Sequence, residues 1–521
     1  MTRVVSGERQ FTTAGHLRHW AEHRGDHPAL RWAGGQLTYA ELHDRSSRVA
    51  QALRADGVGP GDRVAFLDKN SPEQVELFFG AAKLNAVPCP VNYRLAPPEI
   101  AFIVADSEAK VFVVGEEFAP LVDKVADQLA GVRVIATGAA YDGWRDAQPA
   151  DDPAVPLAAT DIAYQLYSSG TTGRPKGVQL TQANLAAGMG LYPQIMGLGP
   201  DSVSMVPMPL YHIGGGGWAL AGLAQGATNV LIREIVPDRL VETIVAERVT
   251  HGFLVPAVLQ FMLAVPGVEQ RDFSALRSLL YGASPISEKV LAQSVRTFGC
   301  EFVQAYGLTE STGTVIYLPA ADHDPDGPNR HRLRAVGIPI PGSQAKIVDP
   351  ATGQAAPAGA VGEIWVKGPT VMAGYWHMPE QTGAAITDGG WLHTGDAGYQ
   401  DPDGYFYIHD RVKDMIVSGG ENVYPAEVEN VIMSHPAVAD VAVIGVPSER
   451  WGETPRAVVV RAAGAQVTEA ELLAYCRERL AGFKCPTSVQ WIDELPRNPS
   501  GKVLKKDLRA PFWEGRTRMV G

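Results

Sequence analysis

The chain has 521 residues, a length that by ordinary domain sizes indicates roughly two to four modules. Hydrophobic residues make up 45% and charged residues 20%, which is typical of a globular protein and excludes wholesale disorder. The formal net charge of -12 does not indicate electrostatic binding to nucleic acid or to an anionic membrane. A local loop can still bind phosphate on an acidic protein.

Cysteines and targeting segments indicate the compartment. The four cysteines show neither CxxC pairing nor the spacing of metal ligands, and they are Cys89, Cys300, Cys476 and Cys485. Scattered thiols of this kind fit a reducing compartment. The N-terminal residues lack the apolar run of a signal peptide, and no stretch approaches the roughly 20 apolar residues of a membrane span. We therefore expect a cytoplasmic protein with no integral membrane segment and no nucleic-acid partner.

The N-terminal region alternates between helix-like and strand-like segments from about residue 36 to 115. Thr38 and Glu41 have the spacing of a capping box, so a helix is predicted to begin there. Residues 63–67 read as a short strand after a Gly-Pro-Gly-Asp turn. Ser71 can cap a further helix with a proline at its first position. This alternation predicts an α/β fold with a substantially parallel sheet.

The pattern of predicted helices and strands changes twice towards the C-terminus. The α/β pattern resumes after an Ala/Pro/Asp-rich stretch at 147–161, whereas residues 345–410 are turn-rich and suit antiparallel strands. The last 110 or so residues contain their own helices and strands, which predicts a small α+β domain. We therefore expect a large domain over 1–410, built of parallel-type sheets flanked by helices with a small β subdomain, and a C-terminal domain over 411–521.

The strongest local motif is YSSGTTGRPKGV, at residues 167–178, directly after a strand-like segment. A glycine-rich turn can direct successive backbone N–H groups at a phosphate, while hydroxyls and a lysine add donors and positive charge. The Walker A spacing is absent, so P-loop NTPase chemistry is not supported. A solvated Ser/Gly/Thr linker is the ordinary alternative for such a tract.

The motif SSGTTGRPKG closely resembles the phosphate loop of the adenylate-forming superfamily, which includes acyl-CoA synthetases, luciferases and peptide-synthetase adenylation domains. Six further segments resemble the family's other motifs and follow in the expected order, namely LYH, YGASP, QAYGLTE, TGD, DRVKD and NPSGK. The resemblance extends from about Thr38 to Lys502. It is closest to bacterial fatty acyl- or aryl-CoA ligases.

The resemblance implies a role for each matched residue. ATP is expected to contact four groups of residues. They are the phosphate loop (Ser168, Ser169, Gly170, Thr172, Gly173 and Lys176), the adenine-lining segment (Gly282, Ala283 and Ser284), the adenine-stacking tyrosine with its neighbours (Tyr306, Gly307 and Thr309) and the two ribose residues (Asp396 and Arg411). Thr309 is the expected α-phosphate contact. The implied catalytic residues are Lys502, His212, Glu310 and Thr171, and the implied Mg²⁺ ligands are Glu310 and Thr171.

Elementary chemistry supports the charged members of this set. Attack of a carboxylate on phosphorus brings two anions together, so catalysis consists mainly of charge neutralisation and alignment. Lys502 can supply a mobile positive charge. Glu310 suits Mg²⁺, because that cation prefers carboxylate and water oxygens. For His212 it is the resemblance that implies a position near the substrate carboxylate or a role in gating the path of the thiol.

Each residue also has an ordinary structural interpretation. Lys502 could belong to a basic tail, since Lys505 and Lys506 follow it closely. Glu310 could be an acid at the start of a helix, and His212 a packed histidine. Tyr306 could be a core tyrosine, Asp396 a turn aspartate and Arg411 an interdomain salt-bridge partner.

The family further implies a mobile C-terminal domain and a thiol acceptor. Lys413 matches the hinge position about which the domain would rotate between two half-reactions. Trp451 and Phe483 align with positions that meet coenzyme A in some acyl- and aryl-CoA ligases, although a loop tryptophan commonly just packs. Dimers are frequent in this family, so the resemblance is compatible with a homodimer, although the sequence does not define the oligomeric state.

The family leaves several functions open. The expected one is an ATP-dependent ligase that activates a medium- or long-chain fatty acid as acyl-AMP and transfers it to coenzyme A. An aromatic or polycyclic acid, or a carrier-protein thiol as acceptor, is the alternative; a luciferase-like oxidase or a non-catalytic nucleotide sensor is less favoured. No acidic residue that could pair with an amino-acid substrate stands out near His212. The four glycines at 214–217 either open space for the acyl group or pack tightly in a helix.

Overall fold

Short strands and amphipathic helices alternate along the chain in the computed structural model. The structure describes residues 12–168, 175–350, 352–411, 414–418, 421–423, 425–448, 450–497 and 503–514.

The strands of the described residues are β1 Pro28–Trp32, β2 Gly35–Thr38, β3 Arg63–Leu67, β4 Val87–Pro90, β5 Ala109–Val114, β6 Arg133–Ala136, β7 Ile162–Ser168, β8 Lys176–Thr181, β9 Val203–Val206, β10 Thr228–Leu231, β11 His251–Leu254, β12 Ser278–Gly282, β13 Glu301–Tyr306, β14 Ile316–Leu318, β15 Ile338–Pro339, β16 Gln344–Val348, β17 Gly362–Lys367, β18 Gly374–Tyr375, β19 Leu392–Gln400, β20 Phe406–Arg411, β21 Ile416–Ser418, β22 Glu421–Val423, β23 Val438–Ser448, β24 Gly452–Arg461 and β25 Ser488–Trp491.

The α-helices of the described residues are α1 Thr13–His23, α2 Tyr39–Ala55, α3 Pro72–Lys83, α4 Pro97–Asp106, α5 Ala119–Asp123, α6 Ala139–Asp146, α7 Gln182–Met189, α8 Tyr192–Met196, α9 Ile213–Ala224, α10 Pro237–Ala246, α11 Pro256–Leu263, α12 Glu288–Phe298, α13 Pro379–Ala385, α14 Pro425–Met433, α15 Glu469–Arg477 and α16 Lys505–Trp513. No described helix has the length and apolar character needed to cross a membrane.

The largest sheet has nine strands in the order β15-β14-β13-β12-β11-β9-β10-β1-β2. Its six central strands, β13 to β1 in that order, run parallel, and the strands at both edges pair antiparallel. Parallel strands are covered on both faces and therefore read as apolar runs, as in β12, where all five residues are buried. The carboxyl ends of neighbouring parallel strands meet at one edge, which brings the turns after β12 and β13 together.

A second sheet, β4-β3-β5-β6, is entirely parallel. The two helix starts predicted beside it are confirmed. Thr38 Oγ1 accepts from the Glu41 N–H at 3.2 Å, while the Glu41 carboxylate accepts from the Thr38 N–H at 2.8 Å. Ser71 caps α3 through the Gln74 N–H, and Pro72 is the first residue of that helix. The α/β fold class predicted from the sequence is thus confirmed.

Antiparallel strands form the rest of the larger region. Strands β7 and β8 form a hairpin to which the short β18 adds a third strand. Strands β16, β17, β19 and β20 form a separate four-stranded sheet, as predicted for the turn-rich stretch.

The C-terminal region has its own sheet, β22-β21-β24-β23, with β25 paired to β24. The helices α14 and α15 and the long strands β23 and β24 are the helices and strands that the sequence predicts for this region. Their apolar side chains form a core of their own from Ile416 to Val489. The predicted domain boundary at 410/411 stays a prediction.

Candidate active site

The predicted phosphate loop connects the two strands of the β7–β8 hairpin. Ser168, the last residue of β7, is paired with Lys176, the first residue of β8. The loop residues Ser169, Gly170, Thr171, Thr172 and Gly173 lie outside the described residues. The hairpin therefore defines both ends of the loop and holds a hydroxyl and an ammonium group opposite one another.

Glu310 lies beside this hairpin, in a short 3₁₀ turn over Thr309–Ser311 that follows β13. Its Oε1 accepts hydrogen bonds from Ser168 Oγ at 3.3 Å and from Tyr375 Oη at 3.0 Å. The Lys176 ammonium lies 4.7 Å from the centroid of the Tyr375 ring. Three residues predicted from two motifs, Ser168 and Lys176 from one and Glu310 from the other, thus meet around one tyrosine.

Sequence reasoning missed Tyr375. It belongs to the two-residue strand β18, which is too short to produce a periodic pattern, and it lies outside the seven family motifs. Burial, reinforced by the neighbouring Glu310, raises the pKa of Tyr375. Its hydroxyl therefore stays protonated and donates a hydrogen bond to the Glu310 carboxylate.

Tyr306 and Asp396 form the next part of the site. Tyr306 is the last residue of β13, and its hydroxyl donates to Asp396 Oδ2 at 2.7 Å. Both side chains are buried. Asp396 stands opposite Arg411 in the β19–β20 pair, although the Arg411 side chain lies outside the described part. Gly395 has a φ of +69°, and among the described residues other than its chain neighbours no atom lies within 4 Å of where its Cβ would be. The described structure therefore leaves this turn beside Asp396 uncovered.

The adenine-lining segment lies next to Tyr306 because β12 and β13 are parallel neighbours. A Cβ on Gly282 would lie 2.1 Å from the Ala305 carbonyl oxygen, so only glycine permits this approach. Ala283 has a φ of +66°, which turns the chain sharply before Ser284. A Cβ on Gly307 would lie 1.5 Å from the Gly313 carbonyl oxygen. The two turns are thus close-packed at one edge of the nine-stranded sheet.

His212 precedes α9 and is partly buried, with its Nε2 atom enclosed. Burial, with a smaller contribution from Arg94, lowers the pKa of His212 to about 4, so the imidazole is neutral at neutral pH. Within the described residues its Nε2 atom has no hydrogen-bond partner, nor has the hydroxyl of Tyr211, whose ring centroid lies 4.5 Å away. A buried unpaired polar atom is costly, which suits a group that a ligand satisfies.

Asn70 is a second residue that sequence reasoning missed. Its Oδ1 accepts from the Leu210 N–H at 2.9 Å. Its Nδ2 donates to the carbonyl oxygens of Met208, Val206 and Ile232 at 3.0, 3.2 and 3.1 Å. One side chain thereby holds the segment that leads to His212. The sequence shows only a helix-preceding Asn, and the carbonyls that it bonds are more than 130 positions away.

The glycine run after His212 is a packing feature. A Cβ on Gly215 would lie 2.1 Å from the Pro209 carbonyl oxygen, and one on Gly216 would lie 2.7 Å from that of Leu210. A Cβ on Gly214 would lie 2.8 Å from the Phe253 ring. Trp218 is buried and donates to the Met205 carbonyl. The sequence leaves open whether these glycines provide space for the acyl group or pack tightly, and the structure shows tight packing. The glycine run therefore gives no evidence for a wide acyl cavity.

The remaining predicted residues belong to the C-terminal region. Trp451 and Phe483 are 44% and 41% exposed, with the Arg450 guanidinium 4.5 Å from the first ring and the Lys484 ammonium 5.8 Å from the second. Lys413 and Lys502 lie outside the described residues. The roles of these four positions stay predictions.

The donor set fits a nucleotide-bound Mg²⁺ better than a metal cage. Within the described ranges no cluster of three or more His, Cys, Asp or Glu side chains could hold a metal ion. Mg²⁺ is commonly held by one or two carboxylates together with substrate phosphates and water. The Glu310 carboxylate beside the phosphate hairpin matches that mode.

Comparisons with known proteins agree with this arrangement. The AMP-binding enzyme model matches residues 17–376 and the model of the AMP-binding enzyme C-terminal domain matches residues 427–502, so the chain belongs to the AMP-binding enzyme family. It is an adenylate-forming enzyme, an acid–thiol ligase of the acyl-CoA synthetase type.

Two relatives and one solved structure illustrate the similarity. The chain is 42% identical over 508 residues to the fatty acid–[acyl-carrier-protein] ligase ScoC of Streptomyces coeruleorubidus, covering 96% of each chain. It is 42% identical over 485 residues to a feruloyl-CoA synthase of Amycolatopsis sp., covering 93% of this chain and 96% of the relative. ATP-bound MatB from Rhodopseudomonas palustris superposes with a TM-score of 0.88 at 33% identity, covering 96% and 99% of the two chains.

Proposed function

We propose that the protein is an ATP-dependent ligase that converts a medium- or long-chain fatty acid to its acyl-adenylate and then to its coenzyme A thioester. The observation that carries this proposal is the convergence of Ser168 and Glu310 beside Lys176. These groups suit a magnesium-bound triphosphate. The ATP-bound form of MatB, which this chain resembles, supports ATP as the nucleotide.

The first half-reaction is a substitution at phosphorus. A carboxylate oxygen of the acid bonds to the α-phosphorus of ATP, the bond to the bridging oxygen breaks, and pyrophosphate leaves. Lys176 and Lys502 supply positive charge where the two anions meet. Magnesium bound at Glu310 would neutralise charge on the leaving phosphates.

The second half-reaction transfers the acyl group. The thiol sulfur bonds to the acyl carbonyl carbon, the bond to the phosphate oxygen breaks, AMP leaves, and the thiol proton passes to solvent. His212, being neutral, offers Nε2 for one hydrogen bond beside the substrate carboxylate or the thiol path. Trp451, beside the Arg450 guanidinium, and the exposed Phe483 ring suit the adenine and phosphates of coenzyme A, whereas the Lys484 ammonium beside Phe483 is paired with Glu427 at 2.7 Å.

Two variations on this function have specific support. The similarity to ScoC favours a carrier-protein thiol as the acceptor, and the similarity to a feruloyl-CoA synthase favours an aromatic acid. The Tyr211 ring lies beside His212, with ring centroids 4.5 Å apart, and an aromatic neighbour is compatible with either acid. A fatty acid and free coenzyme A remain the proposal.

The test is a substrate panel followed by mass spectrometry. Purified protein is incubated with Mg-ATP, coenzyme A and graded fatty acids, benzoates, cinnamates or amino acids, and AMP and acyl-CoA are quantified. We expect acyl-CoA from C8–C18 acids, lost in Lys502→Ala but retained in Lys506→Ala, a neighbouring exposed lysine. Acyl-adenylate without acyl-CoA would identify another thiol acceptor, and preference for cinnamates would overturn the fatty-acid assignment. ATP binding without AMP formation from any acid would favour the sensor.

A further inference from the structure

The segment from Met372 to Trp376 connects Glu310 to the phosphate hairpin. The Met372 N–H donates to the Glu310 carbonyl oxygen at 2.9 Å, and the Ala373 N–H donates to that of Gln179 at 3.0 Å. Tyr375 then pairs with Val178 as β18 adds to the edge of β8. The backbone of this segment therefore fixes the spacing between the turn that carries Glu310 and the strand that begins at Lys176.

Trp376 anchors the far end of the segment. Its N–H donates to the Gly177 carbonyl oxygen at 2.7 Å, and its indole N–H donates to that of Asp106 at 2.9 Å. The Arg63 guanidinium lies 3.4 Å from the centroid of its indole ring. The Tyr375 N–H is itself held by Thr382 Oγ1 at 2.9 Å. The backbone of Tyr375 is thus restrained from both sides.

We propose that Tyr375 is a positioning residue that presents Glu310 to the metal ion and Lys176 to the nucleotide phosphates. The hydroxyl orients Glu310 through Oε1, and the face of the ring attracts the Lys176 ammonium. This inference rests on the proposed function, because it assigns a Mg-nucleotide to the site.

Charge separation is the physical reason for such a residue. A lysine and a glutamate that contact the same tyrosine can pair with each other, and a paired ammonium and carboxylate are less available to a phosphate and a metal ion. In the described structure the two form no salt bridge with each other: Glu310 receives hydroxyl donors, while Lys176 lies over an aromatic face. Cation–π attraction holds an ammonium without neutralising its charge. Both hydroxyls use Oε1, so Oε2 is the carboxylate oxygen that would remain for a metal ion.

Two substitutions separate the hydroxyl from the ring. Tyr375→Phe removes only the hydroxyl, and Tyr375→Leu removes the ring as well. Tyr141→Phe is the matched control, since the Tyr141 hydroxyl contacts the buried Glu76 carboxylate at 3.3 Å, remote in sequence from every motif of the site. The full-length proteins are compared by electron paramagnetic resonance with Mn²⁺ and a non-hydrolysable ATP analogue, and by calorimetry with the metal-free analogue.

Tyr375→Phe is expected to raise the Kd for Mn²⁺ about tenfold, the effect of losing one hydrogen bond to a charged group, with metal-free nucleotide affinity within twofold of wild type. Tyr375→Leu should also weaken metal-free nucleotide binding, by about fivefold. Tyr141→Phe should change neither constant. Unchanged Mn²⁺ affinity in Tyr375→Phe would overturn the proposal, as would equal losses of metal-free binding in both Tyr375 variants.

The readouts distinguish this inference from the proposed function. Binding of Mn²⁺ and nucleotide is measured without any acid or thiol, so the proposed function can fail in the substrate panel while the role of Tyr375 stands. Conversely, acyl-CoA formation by the wild type with Tyr375→Phe indistinguishable in Mn²⁺ affinity would retain the ligase and remove the positioning role. A uniform fall in thermal stability that leaves both binding constants unchanged would mean a structural role alone.

Discussion

The hydroxyl of Tyr306 donates a 2.7 Å hydrogen bond to Asp396 Oδ2, and both side chains are buried. Tyr306 ends a parallel strand of the nine-stranded sheet, whereas Asp396 belongs to the four-stranded antiparallel sheet. The bond therefore joins two sheets at the point where the resemblance predicts adenine and ribose to bind.

Removing this hydrogen bond should raise the KM for ATP more than the KM for the acid. Tyr306→Phe leaves a buried carboxylate short of one donor, so we expect the KM for ATP to rise about tenfold, with the KM for the acid within twofold. Initial rates of pyrophosphate exchange would measure both. Tyr405→Phe is the control, because its hydroxyl makes a similar 2.8 Å bond to Asp322. An equal rise in both variants would contradict a specific nucleotide role.

Buried histidines should make the protein acid-sensitive. Burial lowers the pKa values of His212 and His323 from 6.5 to about 4. Between these values the unfolded chain binds protons that the native protein does not. The free energy of unfolding is thus fully retained above pH 6.5 and falls as the pH drops towards 4, by up to about 1 kcal/mol per pH unit for each histidine. Urea unfolding at a series of pH values measures this slope.

Because the pKa of His212 is lowered to about 4, the adenylation rate should not depend on the protonation of this residue between pH 5.5 and 7.5. His323→Gln should make the unfolding slope shallower without altering the pH profile of the rate. A kinetic pKa near 6.5 that disappears in His212→Gln would show instead that the imidazole charges in the native enzyme.

Asn70 should matter for both stability and acid binding. Asn70→Ala leaves one N–H and three carbonyl oxygens of the backbone without this partner, so we expect a loss of about 2–4 kcal/mol of unfolding free energy. The KM for the acid should rise more than that for ATP, because the segment leads to His212. Asn229→Ala, which removes a buried donor to the Ala219 carbonyl, should lower stability alone. Unchanged acid KM in Asn70→Ala would contradict the link.

The glycine run offers a paired test of packing. Gly215→Ala places a Cβ against two backbone carbonyl oxygens and should lower stability by about 2–4 kcal/mol. In Gly217→Ala the new Cβ would lie 3.2 Å from the movable side chain of Ile213. The higher helix propensity of alanine would stabilise this variant by up to about 1 kcal/mol. Thermal unfolding of both variants is the measurement. Equal tolerance would mean that the run does not pack as described.

Rotation of the C-terminal domain about Lys413 should change the accessibility of the chain near 409–424. The Gln260 side chain donates to the Ala439 carbonyl oxygen at 3.0 Å, a contact that a rotation would break. We expect limited proteolysis there to change at least about threefold between free enzyme, Mg-ATP with acid, and product complex with thiol. Cleavage that is insensitive to every ligand combination would count against the rotation.

The sequence was sufficient to predict elements whose signals are local. The capping box at Thr38, the proline-led helix at Pro72 and the strand at Arg63 each depend on neighbours within a few positions. The family motifs likewise placed Ser168, Lys176 and Glu310 in one site. By contrast, the partners of Asn70 and Tyr375 are set by sheet order, which no local pattern encodes.

The glycine run shows a different limit. A glycine after His212 is equally compatible with open space and with close packing, because both require only a missing side chain. The decision depends on where the Met208 and Pro209 carbonyl oxygens point, which tertiary structure alone defines. The nature of the acid substrate is undetermined by the sequence for the same reason.

The pairing of β18 with β8 also has a consequence for how the protein is made. Tyr375 contacts Lys176 and Glu310, and its strand partner lies roughly two hundred residues earlier in the chain. Contacts of such sequence separation form late, since loop-closure entropy must be overcome first. During synthesis the hairpin emerges long before the strand that completes its edge, so nucleotide cannot stabilise an early intermediate through Tyr375. The edge of β8 that β18 covers therefore stays unpaired until about two hundred further residues have been synthesised.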